Sequence, residues 1–211
     1  MQLGFIPDSL GHMGFEEMVK TASGLGFQAL EIPCGNWSKA PHINLDSMLK
    51  SGAKRDEYTG FIKENGMEIC ALNCSGNQLA PGEAGKKNEE VVQKTLKLAE
   101  LLGVDKIVMM SGLPGGSPTD LAPNWITTSW PPETQDILGW QWQEVLVPYW
   151  KKLVKTAADR GIKKIALENH GFQLVYNAET FLRLRDEVGD LIGLNLDTGH
   201  HFWMGGDPVQ T

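Results

Sequence analysis

The sequence has few cysteines, no long hydrophobic run and no excess of basic residues, and each of these absences excludes a class of protein. Three cysteines in 211 residues are an odd number without zinc-ligand spacing, so the sequence predicts neither a disulfide scaffold nor a zinc finger. No apolar run approaches the roughly 18 to 20 residues of a membrane-spanning helix, and the first residues lack a basic-then-apolar signal pattern. We therefore expect a cytoplasmic protein with no membrane partner.

The charge balance bears on the class of partner. With 19 basic and 26 acidic residues, the formal net charge is −7. A nucleic-acid partner would call for a basic face, so we expect none. The hydrophobic content of 41% is enough for one large core, and we expect a single domain over residues 1–211.

Short apolar runs alternate with amphipathic stretches along the whole chain. Each predicted helix ends at or just before a glycine, which is typical of helix C-termini. Strands that alternate with helices indicate a parallel sheet with right-handed crossovers. The predicted strands are residues 3–6, 29–32, 67–72, 104–110, 162–167 and 191–196, and the predicted helices are residues 15–25, 56–65, 89–102, 145–160 and 180–188.

Two architectures fit this alternation, a doubly wound open sheet and a (β/α)₈ barrel. No glycine-rich dinucleotide or phosphate-binding motif follows the first strand. Polar residues instead follow strand after strand, as expected of a site built from many βα loops, so the pattern favours a TIM-type barrel. These residues are Asp8, Glu31, Asn73, Ser111, Glu168 and Asp197.

The segment between residues 111 and 144 is the one break in this pattern, and we predict it to be a long loop. It contains four of the seven tryptophans, and a loop of this length inside a compact domain is usually functional. Its tryptophans could form a surface on which sugar rings stack. Alternatively, they could anchor the segment to the body of the protein or to a second subunit. They are Trp125, Trp130, Trp140 and Trp142.

Two apolar runs near the end of the chain stop abruptly in a carboxylate followed by a histidine. The first, IALENH, covers residues 165–170, and the second, LNLDTGHH, covers residues 194–201. In α/β proteins, ligands bind just beyond the carboxyl ends of the strands. We therefore expect both runs to deliver their polar side chains to one rim, namely Glu168, His170, Asp197 and His200.

These two runs, together with LNCSGN at residues 72–77 and MSG at residues 110–112, resemble the sugar phosphate isomerase/epimerase family. That family has the xylose-isomerase-like TIM barrel and is related to the family-2 apurinic endonucleases. The resemblance implies a divalent metal with four protein ligands, of which Glu168 and Asp197 match the first two. His200 matches a histidine that usually faces the substrate. The other two ligands come from strands seven and eight.

The residue types suit sugar chemistry. Carboxylate oxygens with a histidine nitrogen suit Mn²⁺, Mg²⁺, Co²⁺ or Zn²⁺. A metal chelated by a sugar carbonyl and its neighbouring hydroxyl acidifies the proton on the α-carbon and stabilises the enediolate. We predict Glu168 as metal ligand and proton-transfer base, Asp197 as metal ligand, and His200 as a catalytic residue that contacts a hydroxyl or a phosphate.

Four further residues are candidates for substrate binding, each with an ordinary structural alternative. His170 could contact substrate, support a ligand or simply pack at the rim. Glu31 could contact substrate or bond loop amides, and Asn73 could bond a sugar hydroxyl or form a turn. His42 is a loop histidine that we also place at the substrate.

The sequence thus predicts a metal-dependent sugar or sugar-phosphate isomerase/epimerase with a small carbohydrate as its partner. A dehydratase or lyase acting on a keto-sugar or keto-inositol would use the same site. A catalytically incomplete sugar-binding fragment is the third hypothesis, and the acidic charge disfavours an apurinic-site nuclease.

The strand count predicts a barrel truncated after the sixth strand. Six parallel strands cannot close an eight-stranded barrel, so two edges would stay open. A fragment of a longer protein, completion by a second subunit in a homo-oligomer, and a smaller barrel are the three explanations that remain.

Overall fold

The computed structural model describes residues 2–210 and contains six parallel strands. They pair in chain order, β1-β2-β3-β4-β5-β6. A doubly wound sheet reverses its strand order at a switch point, so sequential pairing identifies the barrel-type arrangement and confirms the predicted fold class. The strands are β1 (Gly4–Phe5), β2 (Ala29–Pro33), β3 (Glu68–Asn73), β4 (Lys106–Met109), β5 (Lys164–Glu168) and β6 (Ile192–Asn195).

Helices connect the strands, and five of them match the predicted ones. Their ends follow ordinary capping rules: α4 stops at Gly103, whose φ of 69° is left-handed, and α7 begins with a capping box between Asn177 and Thr180. The helices are α1 (Phe15–Gly24), α2 (Leu45–Lys50), α3 (Gly52–Glu64), α4 (Gly82–Leu102), α5 (Glu133–Trp140), α6 (Val147–Asp159), α7 (Ala178–Val188) and α8 (Thr198–Trp203).

Three helical features differ from the prediction. α4 begins at Gly82, seven residues before the predicted start. The prediction began too late because residues 82–88 carry no apolar stripe that would indicate a helix. The helices α2 and α8 have six residues each, which is too short for a helical period to show in the sequence.

The predicted loop at residues 111–144 is only partly a loop. Its last part is the helix α5, which continues through a π-helical turn (Gln141–Leu146) into α6. Pro148 lies just inside α6 and has no N–H to donate, and its ring would crowd the carbonyl four residues earlier. The wider turn that precedes it relieves this crowding, so one bent helix replaces the end of the loop.

The tryptophans of this segment have separate environments. Trp142 is buried in the core with the Arg183 guanidinium 4.0 Å from its ring centroid, as expected of a segment anchored to the body of the protein. Trp130 is 74% exposed. Trp125 packs against Phe172 and Tyr176, with ring centroids 4.9 and 5.5 Å away. The four therefore do not form one continuous stacking surface.

A β-bulge in β3 decides which side chains share the inner face of the sheet. Leu30 pairs with Ile69, but the next residue, Glu31, pairs with Ala71, so Cys70 is an extra residue. Side chains alternate between faces along a strand, and one inserted residue reverses that alternation. The bulge thereby brings Asn73 to the same face as Glu31.

A buried tryptophan ties α6 to the carboxyl end of β4. The Trp150 side chain is fully buried, and its Nε1 donates to the Ser111 carbonyl over 2.9 Å. The Ser111 hydroxyl in turn accepts from the backbone N–H of Val175 over 2.9 Å. These bonds fix the segment between β5 and α7 against the end of the neighbouring strand.

No helix within residues 2–210 is long and apolar enough to cross a bilayer. That residues 1–211 form a single domain stays a prediction.

We predict that Trp150→Phe lowers the free energy of unfolding by about 2 to 4 kcal/mol, because it shrinks a buried side chain and leaves the Ser111 carbonyl without its donor. Equilibrium urea unfolding measures the change. Trp130→Phe, at an exposed position, is the control, with an expected change within about 0.5 kcal/mol. An equal effect of both substitutions would contradict the prediction.

Candidate functional site

The carboxyl ends of β5 and β6 place two carboxylates side by side. Glu168 is the last residue of β5 and pairs with Asn195, the last residue of β6. Asp197 follows two residues later as the N-cap of α8, where its Oδ1 accepts from the backbone N–H of His200 over 2.9 Å. The cap holds the carboxylate at the start of the helix and brings His200 within its reach.

These three side chains form a compact group. His200 Nε2 lies 3.2 Å from Glu168 Oε1 and 3.5 Å from Asp197 Oδ2. One ligand atom from each residue lies within 4.8 Å of the others, and within residues 2–210 no other set of histidine, cysteine or acidic side chains is grouped in this way. The group has the donor chemistry of a divalent-cation site.

The surroundings make the Glu168 carboxylate costly to ionise. Burial raises the pKa of Glu168, and the nearby negative charge of Asp197 also raises it. His200 acts in the opposite direction through its charge and its hydrogen bond, and His170 does so through its charge. The net result is a raised pKa, as is common for carboxyl groups at sites that transfer protons.

Asn169 holds the two strand ends together, and sequence analysis assigned it no role. It is 1% exposed. Its Nδ2 donates to the Asp197 carbonyl over 3.0 Å, and its Oδ1 accepts from the Asp197 N–H over 2.8 Å. This pairing lies between residues 28 apart in the chain, so no local sequence pattern could reveal it.

Glu31 and Asn73, near the carboxyl ends of β2 and β3, form a second polar pair. Asn73 Nδ2 donates to Glu31 Oε1 over 2.7 Å, and Asn73 Oδ1 accepts from the Ser75 N–H over 2.7 Å. Burial raises the pKa of Glu31, the bond from Asn73 lowers it, and the charge of Glu168 raises it again. The charge of Glu168 therefore acts on this pair.

His170 also lies at the rim. Its ring centroid is 4.2 Å from that of His200 in a T-shaped arrangement, and 5.3 Å from that of Trp37. Its Nδ1 contacts the Gly171 carbonyl. Six of the seven predicted site residues thus lie at or near the carboxyl ends of strands, Glu168, Asp197, His200 and His170 in one group and Glu31 with Asn73 in a pair on which the charge of Glu168 acts.

The seventh, His42, lies elsewhere. It borders a separate cavity of about 320 Å³ between α1 and α3, beside Phe15, Tyr58 and Phe61. The side chain is buried, and both ring nitrogens lack a hydrogen-bond partner among the described residues. The loop after β2 carries His42 outward to the helices, so the structure does not place it with the other six.

The fold and the group at its strand ends define a TIM-barrel-type protein with a carboxylate-and-histidine site on the βα side of the sheet. The chain belongs to the family described as xylose isomerase-like TIM barrel, which matches residues 19–211. This membership confirms the resemblance seen in the sequence.

The chain is similar in sequence to a protein of Bacillus subtilis. An uncharacterized protein, YfiH of Bacillus subtilis (strain 168), is 55% identical over 211 residues, which cover 99% of this chain and 67% of that protein. The chain therefore spans about two thirds of that relative.

Two solved structures share the fold at low identity. The probable 3-DHS dehydratase AsbF, involved in petrobactin synthesis, from Bacillus anthracis has a TM-score of 0.69 at 19% identity, with 100% of this chain and 68% of that chain covered. D-psicose 3-epimerase in the presence of D-fructose has a TM-score of 0.64 at 16% identity, with 98% and 67% covered.

We predict that Glu31→Gln stabilises the protein by on the order of 1 kcal/mol at pH 7 and by less as the pH falls. Because the folded-state pKa of Glu31 is raised, its ionised form destabilises the fold at neutral pH, and protonation removes that cost at low pH. Thermal unfolding at pH 7 and at acidic pH measures both effects. Glu68→Gln, on the exposed start of β3, is the control. Destabilisation at pH 7 by Glu31→Gln would count against the assigned electrostatics.

Proposed function

We propose that this protein is a divalent-metal-dependent isomerase or epimerase of a sugar or sugar phosphate. The observation that carries the proposal is the pairing of Glu168 with Asp197 at adjacent strand ends. Among the described residues, His200 is the only basic side chain within 4.0 Å of either carboxylate. Two close, partly buried carboxylates with no Lys or Arg partner are best stabilised by a cation.

Glu168 and Asp197 are the residues that would hold the metal. Both offer hard oxygen ligands, and the bonds from Asn169 fix the backbone of Asp197. When bound, a divalent cation polarises the carbonyl of a sugar and acidifies the hydrogen on the neighbouring carbon. This is the chemistry that isomerisation, epimerisation and elimination all require.

The side chains around the metal ligands supply the other roles. Glu168 is the proposed base, since its raised pKa brings it nearer to the range in which a carboxylate takes up and returns a proton. His200 is the proposed contact to a substrate oxygen, and His170 packs against its ring. Glu31 and Asn73 offer an acceptor and a donor to sugar hydroxyls on the opposite side.

Elimination, as in a dehydratase or lyase acting on a keto-sugar or keto-inositol, is the second candidate. The observation that favours it is the raised pKa of Glu31, because a carboxyl group with a raised pKa takes up a proton more readily and can pass it to a departing hydroxyl. Both reactions begin with removal of the same proton by Glu168, and they differ in the next step.

We also propose a cytoplasmic location for the protein. The cysteines Cys34, Cys70 and Cys74 are free thiols, and burial raises the pKa of Cys34 to about 12, so this thiol is unreactive. This suits the reducing cytoplasm. We propose a small carbohydrate as the partner and a homo-oligomer as the assembly. The acidic charge disfavours a nucleic-acid partner.

We predict that Glu168→Gln weakens the binding of Mn²⁺ by roughly tenfold or more, because the amide oxygen carries no negative charge. Isothermal titration with Mn²⁺ alone measures the affinity. The matched control is Glu144→Gln, which neutralises an exposed carboxylate in the π-helical turn and should leave the affinity unchanged. If the wild-type chain binds Mn²⁺ no more tightly than the Glu168→Gln variant, the metal assignment is wrong.

We also predict that ketose substrates incubated in D₂O exchange the hydrogen next to the carbonyl for deuterium without loss of water. Proton NMR follows the exchange, and mass spectrometry follows any mass loss. Loss of water together with exchange would favour the dehydratase over the isomerase. The Glu168→Gln variant should abolish exchange, and exchange at the wild-type rate in that variant would rule out Glu168 as the base.

A further inference from the structure

We propose that Trp203 is a positioning residue that fixes the tautomer and orientation of His200. The inference rests on the proposed function, in which His200 contacts a substrate oxygen. Trp203 is the last residue of α8, three positions after His200, so both side chains lie on one face of the helix. Sequence analysis assigned Trp203 no role.

The contact between the two rings has one chemical interpretation. Trp203 Nε1 lies 3.2 Å from His200 Nδ1. An indole N–H is only a donor, so His200 Nδ1 must present its lone pair as the acceptor. A neutral imidazole carries a single proton, which then lies on Nε2. The indole therefore excludes the Nδ1–H tautomer, and the carboxylates that face Nε2 favour the same Nε2–H form.

The selected tautomer determines what His200 can do at the site. Its Nε2 lies 3.2 Å from Glu168 Oε1 and 3.5 Å from Asp197 Oδ2, so the N–H points at both carboxylates. A nitrogen that carries a proton has no free lone pair for a metal. Trp203 thus keeps Nε2 a hydrogen-bond donor, to the carboxylates or to a substrate oxygen that takes their place, and keeps His200 from becoming a third metal ligand.

A glycine makes room for the indole. A Cβ at Gly171 would lie 2.7 and 2.8 Å from Cη2 and Cζ2 of Trp203, closer than side-chain atoms pack. The same Gly171 follows His170, whose ring packs against His200. The backbone beyond β5 therefore leaves space for the ring that orients the histidine beyond β6.

The direct test is the tautomer of His200 read by ¹⁵N NMR of the full chain with ¹⁵N-labelled histidine, at a pH where its imidazole is neutral. In the wild type we expect a protonated Nε2 and an unprotonated Nδ1. In Trp203→Phe, which keeps an aromatic ring without the donor, we expect a mixture in which the Nδ1–H tautomer appears beside the Nε2–H form that the carboxylates still favour. An unchanged Nε2–H tautomer in that variant would overturn the proposal.

A second variant tests the geometry without removing the indole. Gly171→Ala should displace the half-exposed Trp203 ring and produce the same tautomer mixture. Gly139→Ala, where an added Cβ meets nothing within 4 Å, is the matched control for the Gly-to-Ala change. Trp37→Phe, which removes an indole facing His170, is the matched control for Trp203→Phe. Tautomer mixing in either control to the extent seen in Trp203→Phe would also overturn the proposal.

The tautomer test is independent of the proposed activity, because it needs neither metal nor substrate. Mn²⁺ titration separates the positioning role of Trp203 from the proposed metal site. Trp203→Phe should bind Mn²⁺ at least as tightly as the wild type, because the freed Nε2 lone pair becomes available as a ligand. A tenfold loss of Mn²⁺ affinity in Trp203→Phe would instead identify Trp203 as a support of the metal ligands and contradict the positioning role. Loss of binding in Glu168→Gln tests the metal site alone.

Discussion

The parallel pairing of β5 with β6 is the constraint on which the whole site depends. Their register places Glu168 beside Asn195, and the two bonds from Asn169 then fix Asp197 directly after the second strand. Because these contacts are backbone hydrogen bonds or buried side-chain bonds, they hold the backbones that carry the two carboxylates side by side. Repulsion between the two carboxylates therefore destabilises their ionised forms, and binding of a cation or a proton relieves this repulsion.

Destabilised carboxylates distinguish the rim of the sheet from the rest of the molecule. Elsewhere, the buried polar side chain of Trp150 is paired with a backbone carbonyl and stabilises the fold in the usual way. At the rim, Glu31 and Glu168 both have raised pKa values, first because burial disfavours their charged forms, and also because the charge of Glu168 acts on Glu31 and that of Asp197 acts on Glu168. Such an arrangement destabilises the protein slightly and is characteristic of sites that bind ions or transfer protons.

Sequence reasoning succeeded where the signal was local and periodic. It predicted six strands, five of the helices and the barrel-type fold, because buried strands and amphipathic helices leave a period in the chain. It also grouped Glu168 with Asp197 and His200, since both runs end at strand termini. It missed the short helices α2 and α8, and it gave no sign that His42 lies beside α1 and α3, because loop paths and six-residue helices leave no period.

The amino-acid sequence by itself determined the fold class, the family and the residue types at the strand ends. Only the tertiary structure decided which of these side chains meet. The bulge at Cys70 turned Asn73 toward Glu31, and the space above Gly171 admitted the Trp203 ring that bonds His200. The physical reason is that register, bulges and close backbone approaches depend on contacts between residues distant in the chain, and these leave no local pattern.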